Sequence, residues 1–310
     1  MTGLKWSYMD HWITDSPQGP CVPTISAEYM ERYIKQVAGL GFMGLDTFGF
    51  RIGKYAELFG SAVKFEKFLQ DCGMEKLTSV FHAMPYATRH RSPHVRETHD
   101  GIIEDMESVM IQTEGTGVES FIVMPASTYF MVEPVTDEKI KIMADLWNRA
   151  GKMTAKYGVK LTCHHEFWCG IRSVDEIEKF YQWTDPEYVY YFCDTAQHKI
   201  AGVDPVKIYM KLHARCNGFH FKDTHNIDTA GEFRLPPDPE ILAPSVKRWF
   251  WEMGTPEGLV DWTLLMKTIQ EYGYQGWLSV EHDKANIDGG NYAESTAISM
   301  WYIENVLAKI

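Results

Sequence analysis

Short β-rich runs alternate with segments of helical periodicity along all 310 residues of the chain. The β-rich runs cover residues 5–9, 43–48, 77–82, 120–124, 159–165, 189–193, 218–221 and 277–280. In the first helical segment, apolar residues repeat at i, i+3, i+4, i+7 and i+8, which gives one buried face. These residues are Met30, Tyr33, Ile34, Val37 and Ala38. The alternation predicts parallel strands joined by crossover helices.

Signals for the helix ends agree with this division. Ser173 and Glu176 have the spacing of a capping box, and Asp204 before Pro205 is typical of a helix start. Gly273 falls just before a predicted strand, where glycine commonly ends the preceding helix. The boundaries therefore separate complete strand–helix units.

Eight such units predict an α/β fold of the (β/α)₈ TIM barrel type, in a single domain over residues 1–310. An open, doubly wound sheet is the alternative, although no glycine-rich phosphate-binding fingerprint follows the first strand. Residues 223–258 are rich in Pro, Asp and Trp and predict a long loop after the seventh strand. A loop at this position would lie on the catalytic face of a barrel.

Charge and cysteine content narrow the functional classes. Thirty basic and 42 acidic residues give a net charge of −12, which argues against a nucleic-acid or anionic-membrane partner. The six cysteines are scattered without a CxxC pair, as expected of reduced thiols. The chain has neither a basic–apolar leader pattern nor an apolar run of roughly 18 residues. We expect a cytoplasmic protein.

Candidate metal ligands mark four consecutive predicted strands. They are Glu166, Asp194, His220 and Glu281. Neighbouring strands end at the same mouth of a barrel, so these side chains are predicted to surround one divalent ion per chain. Three carboxylates and one imidazole suit Mn²⁺, Mg²⁺ or Co²⁺ better than a cysteine-bound structural zinc. The alternative is that the acidic residues only cap the helices that follow.

Three further polar residues are candidates for catalysis or substrate binding. His164 lies two residues before Glu166, so both point to the same side of a strand, and His164 is a candidate base. Alternatively, it only orients Glu166. Lys222 shares a face with His220 and is predicted either to bind a substrate hydroxyl or to pair with a carboxylate. His82 ends the third strand, as a substrate contact or as a hydrogen-bonded structural histidine.

The chain resembles the sugar phosphate isomerase/epimerase superfamily, the xylose isomerase-like barrels, most clearly in its second half. The resemblance covers nearly the whole chain and is best at His-Phe-Lys-Asp (220–223), Gly-Leu-Val-Asp-Trp (258–262) and Gly-Tyr-Gln-Gly-Trp-Leu-Ser-Val-Glu (273–281). It implies one metal ion, with Mn²⁺ preferred, on the four ligands named above. The long seventh loop is most similar to the inosose dehydratases and the catalytic subunits of bacterial C-glycoside deglycosidases.

The resemblance also implies substrate contacts. Ketose 3-epimerases place a substrate-binding histidine three residues after the metal aspartate, where this chain has Gln197 followed by His198. His198 is therefore the candidate for this contact. Trp12 and Trp168 are candidates for stacking on a sugar, with packing inside the fold as the alternative.

The resemblance implies an enzyme that removes a proton next to the carbonyl of a keto-sugar, keto-cyclitol or 3-oxo-glycoside. We expect an unphosphorylated substrate, because an arginine cluster for phosphate is not evident. The long loop and His164 favour a lyase that completes a β-elimination. The alternative is an isomerase or 3-epimerase in which Glu166 and Glu281 exchange the proton.

The same residues also bear on possible partner subunits and on alternative functional classes. We expect a homo-oligomer, and a deglycosidase would also need a small second subunit, for which Trp249-Phe-Trp251 is a candidate exposed docking patch. Phosphodiester hydrolysis is a less favoured alternative because the related endonucleases bind a polyanion with three metals. A non-catalytic sugar-sensing barrel is disfavoured because all four ligands are present.

Overall fold

The described residues form a closed barrel of eight parallel strands. The computed structural model describes residues 4–10, 26–82, 92–126, 135–228, 249–283 and 292–310. The strands are β1 (Leu4–Met9), β2 (Gly44–Phe48), β3 (Lys76–Phe81), β4 (Ser120–Val123), β5 (Lys160–His164), β6 (Val189–Asp194), β7 (Cys216–Phe221) and β8 (Gly276–Val280). Each strand pairs with its neighbours in sequence, and β8 closes the barrel onto β1. This confirms the predicted (β/α)₈ barrel, with every strand boundary within two residues of the prediction.

Helices surround the barrel and cover the outward faces of the strands. In chain order they are α1 (Ala27–Gly39), α2 (Gly49–Phe59), α3 (Ala62–Asp71), α4 (His99–Thr113), α5 (Asp137–Ala155), α6 (Val174–Trp183), α7 (Thr195–Ile200), α8 (Pro205–Leu212), α9 (Trp262–Glu271) and α10 (Tyr292–Asn305). Among the described residues, no helix combines the length and the apolar character needed to cross a bilayer.

Local signals in the sequence fix where the helices begin. Ser173 and Glu176 form the predicted capping box at the start of α6, with each side chain accepting a hydrogen bond from the other's backbone N–H. Asp204 caps α8, and Pro205 occupies its first turn. The predicted apolar stripe of α1 is the face that packs on the barrel. The caps therefore set where α6 and α8 begin, and the apolar stripe sets which face of α1 packs on the barrel.

The barrel interior is polar at the amino-terminal ends of the strands. The hydroxyls of Ser120 and Thr162 lie 2.6 Å apart, and the amide of Asn217 donates to both. Lys160 Nζ in turn donates to Asn217 Oδ1 at 3.0 Å. Hydrogen bonds among β4, β5 and β7, some of them across the barrel, therefore line this end in place of an apolar layer.

The loop after β7 returns to the barrel mouth instead of presenting an open aromatic patch. Residues 229–248 of the predicted loop lie outside the described residues. Asp223 and Trp251 exchange backbone hydrogen bonds, and the Trp251 ring stacks on His225 with 4.4 Å between centroids. Phe250 is only 7% exposed. The prediction that Trp249-Phe-Trp251 is exposed for docking is therefore wrong for its central residue, because this segment packs into the fold.

Candidate metal centre

Four polar side chains come together where β5 to β8 end. His164 and Asp194 are the last residues of β5 and β6, His220 is the penultimate residue of β7, and Glu281 directly follows β8. Side chains along a strand alternate between the barrel interior and the helix layer, so each strand sends one of these groups inward. The carboxyl ends of neighbouring strands then converge at one mouth of the barrel.

The geometry of these four residues is that of a compact ligand set. One donor atom from each lies within 4.8 Å of the others. His164 Nε2 is 2.9 Å from Asp194 Oδ2, and His220 Nδ1 is 2.9 Å from Glu281 Oε2. All four side chains are buried. Two carboxylates and two imidazoles this close together, away from water, suit a divalent cation.

Glu166 lies beside this group, so two ligand sets are possible. Its Oε1 is 3.6 Å from His164 Nδ1, and its Oε2 is buried without a hydrogen-bond partner. Burial raises the pKa of Glu166 well above its usual range, and the nearby carboxylates of Asp283 and Glu281 add to this rise. A divalent ion would supply the positive charge that this carboxylate needs in order to ionise. The predicted set contains Glu166, whereas the tightest group in the structure contains His164 in its place.

Protonation differs between the two histidines of the centre. Burial lowers the pKa of His164, although its hydrogen bond to Asp194 opposes this shift. Burial also lowers the pKa of His220, but the negative charges of Glu281 and Asp194 and their hydrogen bonds to the ring outweigh this effect. The pKa of His220 is therefore raised to about 10. His164 is thus neutral near pH 7, while His220 carries a proton that a bound metal would replace.

Lys222 supplies a positive charge inside the centre. Its Nζ lies 3.0 Å from Asp194 Oδ2 and also pairs with Glu281 and Asp283. Burial opposes its charge, yet these three carboxylates raise the pKa of Lys222 well above its usual range. The alternative predicted for this residue, pairing with a carboxylate, is therefore what the structure contains. Sequence reasoning missed Asp283, although its position two residues after Glu281 places it on the same face.

Aromatic rings form the floor beneath the two histidines. Phe81 lies 5.1 Å from the ring of His164, and Phe192 lies 4.5 Å from the ring of His220 between centroids. Both phenylalanines are buried. These rings line one side of the centre with apolar groups, and the low local dielectric strengthens the electrostatic interactions there.

Two predicted substrate contacts do not face this centre. Phe81 points inward, so the next residue, His82, points outward, where its Nε2 lies 2.8 Å from Asp105 Oδ2 of α4. His198 is 1% exposed, and its Nε2 lies 2.6 Å from the hydroxyl of Tyr191 between β6 and α6. Each histidine is hydrogen-bonded within the layer between strands and helices, which favours the structural alternative for His82, and neither side chain is directed at the centre.

The two predicted tryptophan contacts have different outcomes. Trp168 is partly buried after β5 and packs on Phe167, with 4.6 Å between ring centroids. It stays a candidate for the wall of a substrate pocket. Trp12 lies outside the described residues.

A sequence model of the xylose isomerase-like TIM barrel family matches residues 34–302. The chain belongs to this family. An inosose dehydratase from Lacticaseibacillus casei is 28% identical over 160 residues, which make up 51% of this chain and 52% of that relative. The chain therefore spans about half the length of this curated relative.

Solved structures share the same fold over nearly the full chain. The IolI protein with a bound zinc atom has a TM-score of 0.73 and 13% identity, covering 99% of both chains. A probable 3-DHS dehydratase from Bacillus anthracis also has a TM-score of 0.73 and 13% identity, covering 97% of this chain and 99% of that one. At this level of identity the likeness extends to the barrel architecture alone.

Proposed function

We propose that this protein is a divalent-metal-dependent dehydratase that acts on an unphosphorylated keto-cyclitol or keto-sugar. The observation that carries the proposal is the buried group of His164, Asp194, His220 and Glu281, with ligand atoms within 4.8 Å of one another. The similarity to an inosose dehydratase supports the substrate class. As proposed ligands we keep the set that contains Glu166, with Mn²⁺ as the preferred ion.

A divalent ion at this position would supply Lewis-acid polarisation of a carbonyl oxygen. The protein's own residues would move the protons. His164 is the proposed base: it is neutral because of burial, and its Nε2 is oriented by Asp194 at 2.9 Å. It would take the proton from the carbon next to the carbonyl. As the C=C bond forms and the C–O bond on the following carbon breaks, the protonated His164 would return this proton to the departing hydroxyl, which leaves as water.

Lys222 is the proposed contact for the departing hydroxyl. Its ammonium group is buried among carboxylates and remains charged, so it is a hydrogen-bond donor in a site otherwise rich in acceptors. A neutral substrate is favoured because two buried arginines, Arg51 and Arg172, are already paired with Asp10 and Asp228. These pairs leave the centre dominated by negative charge, which opposes binding of a phosphorylated sugar.

An isomerase or 3-epimerase remains the alternative, because Glu166 and Glu281 both border the same centre and would form the acid–base pair. A lyase acting on a 3-oxo-glycoside uses the same first step with a different leaving group. The product distinguishes these reactions: elimination removes water or an aglycone, whereas proton exchange returns a sugar of the same composition.

The test combines metal content with turnover of an inosose followed by mass spectrometry of the product. We expect one divalent ion per chain and loss of one water from the substrate. His164→Ala should retain the ion and lose turnover, whereas Glu166→Ala should lose both.

Retention of metal in Glu166→Ala together with its loss in His164→Ala would exchange the two roles. Absence of metal from the unaltered protein would refute the proposal. The matched control is His165→Gln, since His165 is equally buried but lies on the opposite side of the strand, against Tyr181.

A further inference from the structure

A polar cavity extends into the barrel from its amino-terminal end, on the side opposite the substrate mouth. Its volume is about 110 Å³, and Asp46, Ser79 and Ser279 are among its lining residues. Phe192 also lines the cavity, and its ring packs against that of His220 with 4.5 Å between centroids. The cavity therefore reaches from the base of the barrel to the underside of the candidate metal centre.

Asp46 is an unusual residue for this position. It is 3% exposed, and within the described residues no lysine, arginine or histidine forms an ion pair with it. Its carboxylate accepts hydrogen bonds from Thr78 Oγ1 and, at 3.4 Å, from Ser7 Oγ. Burying a carboxylate without a paired cation is costly, so the fold would otherwise favour an apolar side chain here.

The strand register connects Asp46 to His220. His220 pairs in register with Ser279 of β8, and Ser279 pairs with Ser7 of β1, whose hydroxyl reaches Asp46. Burial raises the pKa of Asp46, while the nearby hydroxyls of Ser279 and Thr78 and the charge of His220 oppose that rise. Asp46 therefore lies close enough to influence the metal ligand from below.

Polar atoms on this route lack partners. The hydroxyl oxygens of Ser79 and Ser279 are buried without hydrogen bonds, and so is Nε2 of His220. Nδ1 of His220 faces Glu281 and Asp194 in the centre above. A histidine that binds a metal through one nitrogen is normally held by a hydrogen bond from the other. A polar cavity of this size has room for ordered water to complete such a bond.

We propose that Asp46 is a positioning residue for His220, acting through Ser279 and water in the cavity. It fixes the ring with Nδ1 toward the centre by accepting, through this relay, the hydrogen bond from Nε2–H. The inference rests on the proposed function only in requiring that the centre binds a divalent ion. Its consequence is that part of the metal affinity is set from the amino-terminal end of the barrel, which the substrate does not reach.

The experiment is a Mn²⁺ titration of the unaltered protein and of Asp46→Asn, followed by electron paramagnetic resonance. Loss of a carboxylate behind a metal-bound histidine typically weakens metal binding by about 10- to 100-fold, and we expect a change of this size. The Co²⁺-loaded variant should also show an altered visible spectrum, because the ring of His220 would no longer be held in one orientation.

The matched control is Glu66→Gln, another buried carboxylate, which accepts backbone hydrogen bonds from Leu77 and Gly117 on the outside of the barrel. It should lose stability yet bind Mn²⁺ as the unaltered protein does. If Asp46→Asn does not fold, Ser279→Ala interrupts the same relay and should weaken binding several-fold. Unchanged affinity and spectrum in the folded variant would overturn this inference alone. Failure of the unaltered protein to bind metal would overturn both proposals.

Discussion

Replacing Lys222 with methionine tests how the carboxylates of the centre are stabilised. Lys222 is 1% exposed by its side chain and pairs with Asp194, Glu281 and Asp283. The methionine variant retains the apolar stem but removes the ammonium group, which leaves these carboxylates without their shared cation. Removing one partner of a buried ion pair costs about 3–5 kcal/mol, and we expect a loss of this size in the metal-free protein.

The expected loss is large enough to measure in thermal and urea unfolding with EDTA present. For a chain of 310 residues, it corresponds to a decrease in Tm of about 5–8 °C. Mn²⁺ should restore much of it, since an ion at 100 times its Kd adds about 2.7 kcal/mol to the free energy of unfolding. The variant should also bind Mn²⁺ more tightly, because the competing positive charge is gone.

Lys179→Met provides the matched control. Lys179 also pairs with two carboxylates, Asp137 and Asp175, but on the exposed surface. Surface pairs of this kind contribute about 0–1 kcal/mol, so this substitution should change Tm little. If Lys222→Met proves as stable as the unaltered protein in EDTA, the carboxylates are not held by the lysine, and the electrostatic account of the centre is refuted.

Two further predictions concern the surroundings of the centre. Burial lowers the pKa of His198 to about 4, whereas a value near 6.5 is expected in the unfolded chain. The contribution of neutral His198 to stability is therefore present above pH 6.5 and is lost as the pH falls towards 4. Urea unfolding at pH 7 and 4.5 should show that His198→Gln removes about 2–3 kcal/mol of this acid sensitivity; an unchanged pH dependence would contradict it. A Cβ at Gly218 would lie 2.4 Å from the ring of Phe192, so Gly218→Ala should destabilise the fold by about 1–3 kcal/mol. Displacement of the Phe192 ring, which packs against His220, should also weaken Mn²⁺ binding. Normal Mn²⁺ affinity in this variant would show that the floor does not position the histidine.

Local pattern was sufficient to predict the barrel. The alternation of β-rich runs and apolar helical stripes depends on neighbours in the chain, and the cap at Ser173 is a bond between residues three positions apart. The inward direction of His164, Asp194 and Glu281 also follows from the two-residue period of a strand. These features were therefore predictable before any contact between distant segments was known.

Only the tertiary structure decided how the inward side chains pair. Whether His164 or Glu166 belongs to the tightest group depends on how β5 and β6 lie relative to each other. The spacing of residues within a single strand cannot predict this distance. His82 follows Phe81 directly, and a shift of one residue at the end of β3 moves it from the centre to the helix layer. Asp46 of β2 and His220 of β7 are far apart in the sequence, and only closure of the barrel brings their strands to the same interior. The sequence alone determined the strands, the helices and the inward direction of the ligand residues on β5 to β8. Closure of the barrel determined which of these residues meet, because contacts between distant strands depend on the register across the whole barrel.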